Sequence, residues 1–190
     1  FSWCWSLETV NIPNSVTNIG KSAMSDCTKL RVITIPDGVT SISDNLLSGC
    51  SSLEAVTIPG SIKRVGNKAF YECSKLVNVT IREGVTSIGD GAFMRCTSLV
   101  FVTIPDSVTN IANNAYSGCS GLKSVDMGHG VGTIGNNAFY TCSGLQSLII
   151  PDSVKKIGSD ACNGCTNLES LSIGDGVSSI GEQAFYKNML

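Results

Sequence analysis

The only histidine of the chain, His129, lies in the stretch GHGVGTIG, whose glycines read G-x-G-x-x-G from Gly130 to Gly135. The apolar run LKSVDM precedes it, and Asp152 follows 22 residues after Gly130. Strand, glycine loop and downstream acid are the parts of a dinucleotide-binding fingerprint, in which backbone N–H groups approach a pyrophosphate. Three other sets have residue types suited to chemistry. His129 with a serine or cysteine would make a nucleophile and base. Nine cysteines, two of them in the C-x-x-C of Cys162 and Cys165, raise disulfides, redox work or zinc. The acids Asp37, Glu83, Asp106, Asp152 and Asp175 raise calcium.

The elements that must position these residues come from one repeated unit. Cysteines stand at 4, 27, 50, 73, 96, 119, 142 and 165, always 23 apart, with Asn188 in the next slot. Leucines follow three residues later in every unit, from Leu7 to Leu168, and Ile12 begins a column broken only by Met127. The consensus is L-x-x-V-x-I-P-x-x-V-x-x-I-G-x-x-A-F-x-x-C-x-x. The 190 residues make eight periods plus six residues, and Phe1 falls in the aromatic column. A single domain over 1–190 is therefore expected, starting and ending inside a repeat as a piece of a longer array.

Within each unit L-x-x-V-x-I alternates, so Val10 and Ile12 face one way and Thr9 and Asn11 the other, as in a half-buried strand. Proline in the next slot (Pro36, Pro105) ends the strand because it has no N–H to donate. A turn follows, and V-x-x-I-G makes a second short extended stretch. The segment x-x-A-F-x-x-C is too short and too rich in Gly and Asn for a stable isolated helix, and one α- or 3₁₀-helical turn is expected there. No unit alone buries its apolar columns. Stacked units do, with like residues about 4.8 Å apart, and connections in such stacks are right-handed.

At this period the motif resembles the BspA-like, or treponemal-type, leucine-rich repeat, and the resemblance covers the whole chain. Departures are local: Arg82, Gly128 and Gly174 replace the proline, Met24, Leu47, Tyr116 and Cys162 replace the phenylalanine, and Ser43 and Ala112 replace the glycine. The resemblance implies a leucine-rich repeat solenoid, a right-handed stack of eight repeats. A parallel sheet lines one face, with short strands and 3₁₀ or α turns on the other. It implies exposure on the surface of bacteria or protists, adhesion to host or matrix proteins, and no catalytic residues.

The register also supplies a plain reading of each chemical candidate. Gly130 and Gly135 occupy slots that most units fill with Gly or Ser and with Gly, and Asp152 is the same turn acid as Asp37, Asp106 and Asp175. A dinucleotide crossover needs about thirty residues including a helix, more than this period holds. His129 occupies a solvated turn slot and is the lone histidine. C-x-x-C has no partner pair for zinc, and Cys162 lies in the aromatic column. In-register cysteines stack as small buried hydrophobes whose parallel Cβ vectors suit a disulfide torsion poorly, so mostly free thiols are expected. Adjacent acid pairs 83/106 and 152/175 supply too few oxygens for calcium, and turn capping accounts for them. The Asn78-Val79-Thr80 sequon matters only in a eukaryotic secretory pathway. Lys63-Arg64 and Lys155-Lys156 are isolated solvated doublets. No metal, cofactor or catalytic residue is assigned.

Composition limits the partners. Hydrophobic residues make up 42% and charged residues 15%, and the net charge of −2 favours neither nucleic acid nor acidic lipid. No apolar run approaches the eighteen or so residues of a membrane span. Function then falls to a surface, and the outward strand positions offer one. Val77, Asn78, Thr80, Val100, Phe101, Thr103 and Ile149 form the candidate protein-binding face, with Arg82 and Glu83 as a charged rim. Phe101 is either its centre or a tolerated exposed aromatic. Tyr71, Met94, Tyr140 and Tyr186 mark a second edge, and Trp3 and Trp5 lie at one end of the stack. The expected function is a non-enzymatic, cell-surface or secreted module that adheres to host, matrix or neighbouring-cell proteins. The alternative is a structural spacer with no ligand of its own.

Overall fold

The computed structural model describes residues 1–188; Met189 and Leu190, the end of the domain expected over 1–190, lie outside the described residues. Among the described residues, fifteen short strands make up two parallel sheets. Sheet A contains β1 (Thr9–Val10), β2 (Val32–Ile33), β4 (Ala55–Ile58), β6 (Asn78–Ile81), β8 (Phe101–Ile104), β10 (Ser124–Met127), β12 (Ser147–Ile150) and β14 (Ser170–Ile173). Sheet B contains β3 (Ser41–Ile42), β5 (Arg64–Val65), β7 (Ser87–Ile88), β9 (Asn110–Ile111), β11 (Thr133–Ile134), β13 (Lys156–Ile157) and β15 (Ser179–Ile180). Neighbours in each sheet come from successive repeats in 23-residue register, for example Val56 on Val79 and Asn78 on Phe101. The stack of repeats is therefore as the period predicts. We number the coils 1 to 8 from Leu7, Leu30, Leu53 and so on.

The third side differs from the expected helical turn. From the glycine slot to the cysteine, N–H groups alternate between two uses: those of Tyr71 and Cys73 bond back three residues within the coil, while those of Phe70 and Glu72 bond to carbonyls of the next coil. Two left-handed residues per coil enforce this. One column holds Ser22, Asn45, Lys68, Gly91, Asn114, Asn137, Asp160 and Gln183, and the other, four residues on, includes Asp26, Glu72, Arg95 and Thr141. Non-glycine φ values run from 51° to 64°. A helix would direct every N–H along its own axis and leave the coils unlinked on this side. Left-handed kinks turn alternate N–H groups outward, so all three sides are hydrogen-bonded along the stack.

The first residue of this side adds a side-chain ladder. Asp44, Asn67, Asp90, Asn113 and Asn136 each accept, through Oδ1, the backbone N–H of the corresponding residue one coil on, at 2.9–3.1 Å. Inside, the columns of Leu, Val, Ile, Ala and Cys from coils 2 to 7 are buried. Phe70, Phe93, Tyr116 and Phe139 stack nearly parallel with ring centroids 5.1–5.5 Å apart.

The corner after sheet A is built in two alternating ways. Its second turn residue is serine in odd coils (Ser15, Ser61, Ser107, Ser153) and glycine in even ones (Gly38, Gly84, Gly130, Gly176). Ser61, Ser107 and Ser153 donate through Oγ to Val39, Val85 and Val131 of the coil before, at 2.7–2.8 Å. Even coils descend so closely that a Cβ on Gly130 or Gly176 would collide with the carbonyl oxygen of Asp106 or Asp152. The chain is thus also periodic over 46 residues, a period given by the two alternating 23-residue coils.

A candidate protein-binding face

The glycine loop takes its place in this corner. Gly130 is glycine because of the Asp106 carbonyl, whereas a Cβ on Gly132 would meet nothing closer than 3.6 Å. Asp152 Oδ1 accepts the N–H of Asp175 at 2.9 Å and Asp106 Oδ1 accepts that of His129 at 2.7 Å, so both acids serve the turn of the next coil. Glu83 does the same with both oxygens, on Asp106 and Ser107. The His129 imidazole projects into solvent with its Nδ1 3.6 Å from Asp106. At Arg82, Gly128 and Gly174, which replace proline, the recovered N–H donates to Ile58, Ile104 and Ile150 of the preceding coil.

All nine cysteines are free thiols. From Cys27 to Cys165 each in-register Sγ donates to the carbonyl of the aromatic-column residue one coil back, at 3.1–3.2 Å. Cys96 thereby bonds to Phe70, and Cys119 to Phe93. Burial pushes the Cys50 and Cys119 thiols up to about 12 and those of Cys73, Cys96 and Cys142 well above their ordinary range. A reactive cysteine requires the opposite, an exposed and acidified thiol. Cys162 is raised too, chiefly through a thiol–thiol hydrogen bond with Cys165 and then by burial.

Sheet A presents the candidate face. Alternation within β6 and β8 turns Asn78, Thr80, Phe101 and Thr103 outward and Val79, Ile81, Val102 and Ile104 inward. Asn78 lies directly beside Phe101 in the sheet register, and Phe101 beside Ser124. Phe101 is 47% exposed. Val77 and Val100, one residue before each strand, are exposed at the corner where the chain enters the sheet. The structure therefore gathers Val77, Asn78, Val100 and Phe101 on two adjacent coils, with Thr80 and Thr103 two residues along the same strands. Ile149, in coil 7, is exposed but stands apart from this group between polar strand positions. A shallow groove of about 430 Å³ lies on the same sheet over coils 2 and 3, walled by Thr34, Thr57, Pro59 and Arg82, and none of the patch residues lines it.

The second edge is less continuous. Tyr71, Met94, Tyr140 and Tyr186 share a column with Ser117, which is buried, and with Asn163. Tyr71 is engaged locally: Arg95 donates to its hydroxyl at 3.4 Å and to Glu72 Oε1 at 2.7 Å. The Tyr71 hydroxyl, and then Arg95, hold the Glu72 carboxyl below the usual range. Trp3 and Trp5 meet edge to face, centroids 6.3 Å apart. Sequence reasoning missed the cations beside the patch, Lys75 and Lys123, because each belongs to a column of mixed residue types with no consistent charge.

Comparison with known proteins agrees with this architecture. The family model described as BspA type leucine rich repeat region matches residues 1–123 and 86–190, in six copies. A leucine rich repeat protein of T. pallidum is 28% identical, with a TM-score of 0.73 over 85% of this chain and 76% of its own. A leucine-rich repeat protein of Bacteroides ovatus is 23% identical, with a TM-score of 0.57 over 98% of this chain. One from Eubacterium ventriosum is 21% identical, with a TM-score of 0.65 over 94% of this chain. The chain spans 66% and 58% of the latter two proteins. No curated protein matches it. With a 23-residue register kept through both sheets and a family model matching from end to end, the chain belongs to the BspA-type leucine-rich repeat family.

Proposed function

We propose that residues 1–190 form a non-enzymatic recognition module, secreted or held at a cell surface. Its sheet A face binds proteins of a host, a matrix or a neighbouring cell through Val77, Asn78, Thr80, Val100, Phe101 and Thr103, with Ile149 as an outlying contact. The observation that carries this reading is the exposed aromatic of β8. Phe101 replaces the small or polar residue found at most outward positions of this column, and two exposed valines stand beside it. Exposed apolar groups that cluster on a folded surface mark contact sites, and aromatic anchors dominate such contacts. Family membership supports the surface location and the protein-binding role. A passive spacer would need outward columns no less uniform than the inward ones, and these are not.

Binding to a panel of matrix and host-surface proteins tests the reading. Phe101→Ala and Val100→Ser are expected to weaken binding while the chain stays folded, and Phe93→Ala to lose binding by unfolding. Full binding by all three variants would remove this face as the site.

A further inference from the structure

The charged groups around the apolar patch are unevenly committed. Around it stand three cations: Lys75, two residues before Val77, and Lys123, which follows Val77 and Val100 in their column, at the entry corner, and Arg82, just past the far end of β6. All three are exposed, and among the described residues none forms an ion pair. The nearby carboxylates are mostly engaged. Glu54, which shares a groove with Lys75, is held by Arg31 at 2.9 Å, and both oxygens of Glu83 accept backbone N–H groups. Asp126, exposed on β10, forms no ion pair among the described residues. Three uncommitted cations thus border an apolar centre, against the uncommitted Asp126.

Resting on the reading that this face binds protein, we propose that the patch receives an extended segment carrying an aliphatic or aromatic side chain flanked by carboxylates. The apolar side chain lies among Val77, Val100 and Phe101, and the carboxylates reach Lys75, Arg82 and Lys123. Separate cations with an apolar centre fit such a segment better than a polysulfate or polyphosphate, which binds through contiguous cations and gains nothing from Phe101. The charged rim sets partner choice and salt dependence, and the apolar centre sets affinity.

Three labelled synthetic peptides test this by fluorescence anisotropy on the intact chain, with a heparin fragment as a fourth probe. The first places a leucine–phenylalanine pair between two aspartates on either side, the second replaces the aspartates by lysines, and the third keeps the aspartates and replaces the pair by glycines. The first is expected to bind about tenfold or more tighter than the others at low salt, and to weaken severalfold when salt is raised to about 0.3 M. Phe101→Ala should cost about tenfold, and Lys123→Glu or Arg82→Glu should remove the preference for aspartate over lysine. Equal binding of the lysine peptide overturns the charge assignment and leaves the protein-binding face standing. Undiminished binding by both Phe101→Ala and Val100→Ser overturns the two together. Heparin binding unaffected by Phe101→Ala, with no peptide bound at about 1 mM, shows a simple anion surface and overturns the proposal.

Discussion

Along β4, β6 and β8 the inward residues are Val56, Val79 and Val102, followed by Ile58, Ile81 and Ile104, while the outward residues opposite them are Ala55, Asn78 and Phe101. The same strands are thus uniform on one side and irregular on the other. Inside, each side chain sits directly above its equivalent in the next coil, so a different shape disturbs two neighbours at once. Outside, each faces water and is free to vary. Regularity therefore reports what the fold requires, and departure from it reports where selection for something else is permitted. Tyr116 shows the same rule from within: its hydroxyl, between Phe93 and Phe139 in the aromatic stack, is buried with no partner among the described residues.

The comparison breaks if inner and outer substitutions cost the same. Phe93→Ala, which interrupts the aromatic stack, should lose about 3–5 kcal/mol of stability in a denaturant titration. The thiol ladder gives the next effect. A thiol raised by burial stays protonated in the folded chain, while the unfolded chain ionises above its ordinary value near 8.5–9. Stability is then complete below that pH and declines as pH rises toward about 12, the value of Cys50 and Cys119. Denaturation midpoints between pH 8 and 11 measure the decline, and Cys96→Ala should blunt it; a flat profile would contradict the ladder.

Smaller effects sharpen the contrast at the corner and at the single polar intruder. Gly130→Ala should cost about 1–3 kcal/mol through the Asp106 carbonyl, whereas Gly132→Ala, two residues away and unobstructed, should be neutral or slightly stabilising. Equal midpoints for the two variants would refute the alternating corner. Tyr116→Phe should gain about 1 kcal/mol by removing the unpartnered hydroxyl, and a loss of stability would reveal a partner for it. Phe101→Ala should change stability by less than about 0.5 kcal/mol, the smallest effect, and act on binding alone.

Much of the architecture was legible because the period repeats in phase: Cys27 to Cys165 and Leu7 to Leu168 define the coil before any contact is known. The candidate face was legible in part, since alternation in NVTI and FVTI points Asn78 and Phe101 outward. Its rim was not. Lys75 and Lys123 read as ordinary solvated lysines until the stack sets them beside Val77 and Val100. The third side was misread because left-handed φ values at Lys68, Glu72 or Arg95 follow from hydrogen bonds to the next coil, not from those residues' own preferences.

By itself, then, the sequence determined the 23-residue coil, the inward columns and the parallel stack, because burying the same columns in every unit admits one solution. Only the tertiary structure decided how the third side is linked, where the thiol protons go, why glycine alternates with serine at the corner, and which outward residues become neighbours. Each of these depends on a partner 22 to 26 residues away, on an adjacent coil. Such a pairing has no local signature in the chain, since it comes into being only when one coil settles on another.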